Sequence, residues 1–329
     1  MTNFRIGIDF GGSKIEIAAV PPKGRPWLRR RVPTPASYPA AIAAIMNLVR
    51  NVETRIGAKP SVGVCVPGRT DQATGLVRSR NCLDGRPLRR DLCNALEREV
   101  RVANDGNCFA LSEAVDGAGR GARVVFGAVL GTGCSAGVVV DGRLLIGRNG
   151  LAGEWAHIPF PFDPPHEPPA RRCWCGRLGC LETVISGTAL AVDCDGPGAR
   201  GAAAVAERAA AGDRPAQAAL DRHVRSLARA LAGVINLLDP DVIVLGGGMS
   251  NMDHLYARLP ALIAQHVFGN VCATPVRRPV HGDSSGVRGA AWLWPGEPEP
   301  AGAVPCPAAE PSPRMGAQRQ PRRDRRPRS

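Results

Sequence analysis

No charged segment followed by an apolar one opens this 329-residue chain; residues 1–4 run directly into strand-like sequence, so a secretory leader is not expected. No long unbroken apolar run is present either. The most apolar window, 124–140, is interrupted by Gly127, Gly131, Thr132, Gly133, Ser135 and Gly137, which suits a buried hairpin and excludes a membrane span there. The cysteines show no pairing rhythm: three cluster at 173–180, while Cys65, Cys82, Cys93, Cys108, Cys134, Cys194, Cys272 and Cys306 are scattered. A disulfide framework is therefore not expected, and a reducing cytoplasm fits best. The formal charge is +13, but residues 296–329 place seven Arg against Glu297, Glu299, Glu310 and Asp324 in a Pro-rich stretch without apolar periodicity. That stretch reads as a disordered tail. Arg29, Arg30 and Arg31 read as a solvated strand end. Neither run calls for a nucleic-acid or membrane partner. What remains, at 44% hydrophobic residues, is enough chain for one or two sizeable cores and hence two lobes.

The densest chemistry lies between Gly153 and Glu182. His157, Cys173, Cys175 and Cys180 offer one imidazole and three thiolates, a soft set suited to tetrahedral Zn²⁺ in a closed, structural site. Gly176 and Gly179 allow the tight turn that lets the sulfurs converge. A reduced cysteine-rich loop without metal is the alternative. Glu154 stands three residues before His157, and Glu182 two after Cys180, so a pinned loop would also position two carboxylates able to hydrogen-bond vicinal hydroxyls.

Two stretches repeat one pattern. Residues 5–20 alternate Ile6, Ile8 and Phe10, break at Gly11-Gly12, and resume with Ile15, Ile17 and Ala19; residues 124–140 do the same around Gly131-Thr132-Gly133. Two copies imply two related lobes with facing hairpins. No helix follows Gly11-Gly12, which excludes a Walker loop, yet backbone N–H groups there, with Ser13 and Lys14, can cradle phosphates. An ordinary hairpin turn remains the plain alternative. Asp9, a carboxylate in an apolar strand, is placed to act through Mg²⁺ at a nucleotide.

Between the copies, helical periodicity covers 40–50 and 88–100, and 61–66 is a short buried strand ended by Pro67-Gly68. A strand over 100–103 delivers Asn104-Asp105-Gly106-Asn107 to its end. Asp105 there can take a proton from a hydroxyl attacking phosphorus, or form an Asx turn capping a helix over 108–115. Beyond residue 200, apolar spacing predicts helices over 202–211 and 216–238, a strand over 241–245 closing on Gly246-Gly247-Gly248, and a last helix over 287–294 packed back on the first lobe. The glycines let a flat base approach the backbone, or make a plain tight turn.

Glu-x-x-His followed by Cys-x-Cys-Gly-x2-Gly-Cys-x-Glu, the two hairpin turns and Asn-Asp-Gly-Asn together resemble the ROK family of bacterial sugar kinases and sugar-responsive repressors, over residues 4–295. The resemblance implies an α/β fold of duplicated ribonuclease-H-like (actin-like ATPase) domains with a cleft between the lobes. It places a small lobe at 1–118, with a helix at 284–295 returned to it, and a large lobe at 119–283. It also implies Asp105 as catalytic base, with Asn104, Glu154, His157 and Glu182 also reaching the sugar, and zinc on His157, Cys173, Cys175 and Cys180. ATP would lie against Gly7, Ile8, Asp9, Phe10, Gly11, Gly12, Ser13 and Lys14, against Gly131, Thr132, Gly133, Cys134, Ser135, Ala136, Gly137, Val138, Val139 and Val140, and against Gly246, Gly247 and Gly248. Three positions depart from the family pattern. Ala156 replaces a Gly and is expected to crowd the sugar side; Gly106 replaces an Ala; Ser13 replaces the commoner Thr and keeps the hydroxyl. Residues 152–157, 246–251 and 282–295 look most like the fructokinase branch, so a cytoplasmic ATP-dependent kinase making fructose 6-phosphate is expected. N-acetylglucosamine kinase or glucokinase is the alternative. The segment Asn81-Cys82-Leu83-Asp84-Gly85 is shorter than the fructokinase-like pattern and lacks its Trp. Hexose and ATP are the expected partners, and a homodimer is left open. The family's repressors carry an N-terminal helix-turn-helix, whereas the hairpin here begins at residue 5, so that class is not expected.

Overall fold

The computed structural model describes residues 4–22, 26–79, 81–161, 170–282 and 285–294; Asp283, Ser284, Cys306 and the basic 296–329 segment lie outside them. The first sheet grows from β1 (Arg5–Phe10), which pairs antiparallel with β2 (Lys14–Val20), itself paired with β3 (Leu28–Pro33). Helix α1 (Tyr38–Ile56) leads to β4 (Ser61–Val66), parallel to β1. A small ribbon, β5 (Arg69–Thr70) with β6 (Val77–Arg78), and α2 (Leu88–Leu96) precede β7 (Val100–Asn104), parallel to β4. The order is β3-β2-β1-β4-β7. Ile6, Ile8 and Phe10 point into a core shared with Ile45, Val49 and Leu92 of the two helices.

Helix α3 (Asp105–Asp116) crosses to the second sheet, where the plan recurs. There β8 (Val124–Leu130) pairs antiparallel with β9 (Cys134–Val140), and β9 with β10 (Arg143–Leu144). After α4 (Glu182–Ile185), α5 (Gly187–Asp195), α6 (Ala202–Ala210) and α7 (Arg214–Leu238), strand β11 (Val242–Gly246) lies parallel to β8. Helix α8 (Asp253–Ala264) leads to β12 (Val276–Arg277), parallel to β11. The order β10-β9-β8-β11-β12 matches the first sheet strand for strand, so the duplicated α/β architecture expected from the hairpins is present.

Helix α9 (Ser285–Trp292) returns to the first sheet and also packs along α3. Glycines make this approach close: a Cβ on Gly7 or Gly63 would overlap the backbone of α9, one on Gly289 would overlap Cys108 of α3, and one on Gly127 would lie 2.8 Å from Ala110. Two helices are thus held between two sheets along glycine-lined seams. Past α9, Trp294 donates its indole N–H to the Val62 carbonyl at 2.7 Å, and Arg101 lies 4.3 Å over the Trp294 ring. Among the described residues no helix is long and apolar enough to cross a membrane.

Several expected boundaries move. The helix expected over 108–115 begins at Asp105, because Asn104 caps it by accepting from the Asn107 N–H at 2.8 Å. The 88–100 periodicity splits into α2 and β7, since Glu97 takes φ 53° and ends the helix. The final helix starts at Ser285 and ends at Trp292. The Arg29–Arg31 run is part of a full strand in which Arg29 and Arg31 both pair with Glu16, whose side chain is 2% exposed.

Candidate active site

Asp105 sits where β7 becomes α3, between the two sheets. Its carboxylate is reachable from the cleft but deep within it. Desolvation therefore raises its pKa, while the Gly106 N–H at 2.8 Å and the Ser135 hydroxyl oppose the rise. Gly106 is also explained: a Cβ there would fall 2.5 Å from the Ala136 carbonyl oxygen, so the family's Ala would not fit against β9 as it lies here. Asp9 faces the same cleft. Burial pushes it up to about 6; a hydrogen bond with Cys65 and the charge of Lys14 work against that, and Asp105 and Glu16 add to it.

These two carboxylates open on a cavity of about 490 Å³ walled also by Cys65, Val129, Gly248 and Arg278. A second cavity of about 650 Å³ shares Gly248 and Asn251 with it and continues between Ala206 of α6 and His254 of α8. Arg278 is held to Asp253 and stacks 4.2 Å from the Tyr256 ring centroid. The wall at Val280, His281 and Ser285 hangs from α3: Glu113 accepts from Val280 N at 3.0 Å, His281 N at 3.3 Å and Ser285 Oγ at 3.1 Å.

Not every glycine expected at the nucleotide faces open space. Gly7 lies against α9, Gly137 against Gly106 and Asn107, Gly246 against the Phe109 ring, and Gly247 against Leu130. Ile8, Phe10, Ala136, Val138 and Val139 are core residues, and Val140 pairs with Val124 at the far end of the hairpin. The turns themselves remain accessible. Gly12 and Gly248 have nothing near a would-be Cβ, Ser13 and Lys14 are exposed, and Thr34 fixes the first turn by donating to the Gly11 carbonyl at 2.8 Å. The second turn, Gly131-Thr132-Gly133, is braced by Gly187 N donating to Gly131 O at 2.7 Å.

Glu154 immediately precedes a short 3₁₀ turn over Trp155–His157. Burial raises its pKa; the charges of His157 and Arg69 oppose this, and those of Asp105 and Glu182 reinforce it. Ala156 does not crowd the sugar side as expected: its methyl is buried in the large core with Phe126 and Trp155.

His157 Nδ1 lies 3.6 Å from Cys173 Sγ, Cys175 Sγ lies 3.6 Å from Cys180 Sγ, and all four candidate ligand atoms fall within 4.8 Å of one another. A tetrahedron with metal–sulfur bonds of ~2.3 Å has edges of ~3.8 Å, so the donor set fits Zn²⁺. Burial and then its neighbouring thiols push the Cys180 thiol up to about 12, and burial raises Cys173 as well, whereas Cys175 is lowered. Gly176 and Gly179 take φ 91° and 70°, the left-handed turn the sequence called for. On the opposite edge of the ring, His157 Nε2 lies 3.9 Å from Glu182 Oε2.

Sequence reasoning missed Cys65 on Asp9, the charge of Arg69 acting on Glu154, and Trp174, whose indole donates to Glu182 Oε2 at 3.0 Å, and it expected Ser135 at the nucleotide, where the structure has it hydrogen-bonded to Asp105. Only Trp174 carried a signal, by standing between two candidate ligands.

The chain is similar to known proteins over most of its length. The ROK family model matches residues 5–297. An N-acetyl-D-glucosamine kinase of Pectobacterium atrosepticum is 38% identical over 297 residues, covering 87% of this chain and 97% of that protein. Among solved structures, a ROK hexokinase from Thermus thermophilus superposes with a TM-score of 0.79 at 30% identity, covering 88% of this chain and 97% of that one. A ROK glucokinase from Streptomyces griseus, solved with glucose and AMPPNP, gives 0.71 at 27% identity over 88% and 98%.

Proposed function

The chain belongs to the ROK family, as a sugar kinase of that family, and on that premise we propose that it transfers the γ-phosphoryl group of ATP to the 6-hydroxyl of N-acetyl-D-glucosamine. The observation that carries this choice is the 38% identity along nearly the full length of an N-acetyl-D-glucosamine kinase. The fructose-first order expected from short motifs yields to it, because those motifs serve the phosphate, the metal and the shared hydroxyls, which every branch needs.

In this reading Asp105 takes the proton of the attacking hydroxyl, and its raised pKa suits a base that must hold that proton in a deep cleft. Asn104, Glu154, His157 and Glu182 hold the sugar hydroxyls. The backbone of Gly11-Gly12 and Gly131-Thr132-Gly133, with Ser13 and Lys14, receives the phosphates, and Asp9 would hold the Mg²⁺ that accompanies ATP. Open backbone at Gly248 leads to the second cavity, the place for the adenosine. His157, Cys173, Cys175 and Cys180 would hold Zn²⁺, which supplies rigidity to the loop carrying Glu182 rather than chemistry. Residues 1–118 with the returned α9 form one lobe and 119–283 the other, and their closure excludes water from the transfer.

A coupled ATP-consumption assay over N-acetylglucosamine, N-acetylmannosamine, glucose, mannose and fructose tests the proposal. N-acetylglucosamine is expected to give the highest kcat/KM. A panel led by fructose would return the assignment to fructokinase while leaving Asp105 and the cysteine cluster in place.

A further inference from the structure

Strand β12 ends at Arg277, and the chain leaves the second sheet with Arg278 at the same edge where β11, parallel to it, delivers Gly247 and Gly248. The carboxyl edge of parallel strands is where α/β sheets receive ligands. Arg278, Gly247 and Gly248 accordingly line the cavity of about 490 Å³ on which Asp9 and Asp105 open. Among the described residues around that cavity, Arg278 is the one lysine or arginine. His281 also lines it, but its Nε2 is engaged by Asp116 Oδ1 at 2.9 Å.

The contacts of Arg278 put its guanidinium at the junction of the two cavities. Nη1 donates to the Ser250 carbonyl at 3.3 Å, and Ser250 lines the first cavity. Nη2 pairs with Asp253 Oδ1, and Asp253 lines the second. Gly248 and Asn251 line both. The guanidinium also stacks 4.2 Å from the Tyr256 ring centroid, and the Tyr256 hydroxyl donates to the same Ser250 carbonyl at 2.7 Å, so ring and guanidinium are fixed together. The ion pair with Asp253 is different in kind. Its side chains are 47% exposed on Arg278 and 92% on Asp253, and a pair so open to water contributes little. The guanidinium is thus held in place by a ring and a carbonyl, while its charge is only loosely neutralised.

We propose that Arg278 is a nucleotide-binding residue: it contacts the polyphosphate of ATP at the junction of the two cavities and gives up Asp253 to do so. This rests on the kinase reading above and deepens it. In that reading the γ-phosphoryl group lies toward Asp105 and the adenosine in the second cavity, so the phosphates between them pass the junction. Asp9 and Asp105 repel such a chain of anions, and a cation on the wall of the same cavity offsets the repulsion. Exchange of a solvated carboxylate for phosphate oxygens gives the planar guanidinium fork a stronger partner.

Titration with Mg-AMPPNP, and separately with adenosine, tests the proposal without turnover. Arg278→Ala is expected to weaken AMPPNP binding by about 10–100-fold and to leave adenosine unchanged, since a hydrogen bond between charged groups is lost. KM for ATP should rise with it while KM for the sugar holds. Arg278→Lys keeps the charge without the fork and should recover part of the loss. Asp253→Asn separates a nucleotide contact from a purely structural tie between β12 and α8: it releases the guanidinium and should tighten AMPPNP by up to about fivefold. AMPPNP affinity unmoved in Arg278→Ala overturns the proposal, and so does an equal loss for adenosine. A loss in Asp253→Asn that matches Arg278→Ala also overturns it, because the arginine would then act only through the fold. Melting temperatures confirm that each variant is folded at the temperature of titration. A wild type that binds AMPPNP but phosphorylates no sugar sinks the reading of function separately, and the same titrations still decide whether Arg278 meets the phosphates.

Discussion

The first sheet ends its central strand with Asp9-Phe10 before the glycine turn; the second ends the equivalent strand with Val129-Leu130. Both Asp9 and Val129 line the same cavity, one from each sheet. The next strand diverges as well. After the turn the first sheet continues Lys14-Ile15-Glu16, with Glu16 locked by two arginines, while the second continues Cys134-Ser135-Ala136, with Ser135 on Asp105. One topology has therefore been given two chemistries. The first sheet brings the charges of Asp9 and Lys14, and the second brings a hydroxyl, small residues and the cysteine loop. The cleft needs the difference, because a second carboxylate at Val129 would face the first.

The strongest way to break the comparison is at the helix both sheets share. Asp105→Asn is expected to keep sugar binding and lower kcat by ~10²–10⁴-fold, since the shape survives and the proton acceptor does not. Isothermal titration with sugar beside steady-state kinetics checks both halves of that statement. Asp9 comes next. Asp9→Asn should cost about 10–100-fold in kcat/KM for ATP, whereas Val129→Asn should not touch the pH profile.

That profile follows from the direction of the shift. In the proposed role Asp9 holds a cation in its ionised form, and its pKa is raised to about 6, so kcat/KM for ATP is expected to fall as pH drops through about 6. The acid limb should disappear in Asp9→Asn. For stability the sign is opposite: the fold favours the protonated acid, and ionising Asp9 costs stability as pH rises through that same value.

The cysteine cluster belongs to the second half alone among the described residues. Cys175→Ser is therefore expected to reduce bound zinc from about one per chain toward none and to lower the melting temperature, as a closed metal site couples ligand bonds to folding. Elemental analysis beside calorimetry reads both. Gly63→Ala should destabilise by about 1–3 kcal/mol, because the methyl meets the backbone of α9; urea titration measures it. The smallest effect is expected from removing 296–329, which should leave activity and melting temperature within error if those residues add no packed surface.

Much of this was legible in the sequence, and the residues show why. The hairpins announced themselves by strict alternation around glycine, and Asp105 by a polar cluster at a strand end. Strand β3 did not, since Arg29 and Arg31 look like a solvated run until the cross-strand Glu16 is known. Gly7, Gly137 and Gly246 were expected at the nucleotide, and the fold gives each a packing reason besides, because a strand glycine serves equally to admit a ligand or a neighbouring element. Trp174 was passed over because the ligands on either side explained the motif without it. The sugar was misordered because short motifs were used to choose among branches, whereas identity along most of the chain lies with N-acetyl-D-glucosamine kinases.

The glycine seam under α9 also bears on how the chain is made. Strands β1 and β4 leave the ribosome long before the helix that covers their glycine face, which is completed only at Trp292. Until then one face of the first sheet waits on a partner more than 200 residues downstream, a contact of very long sequence separation and thus a slow one to close. The first sheet is accordingly the part that depends on translation reaching α9 to become whole, and nascent chains halted before α9 should expose it to chaperones.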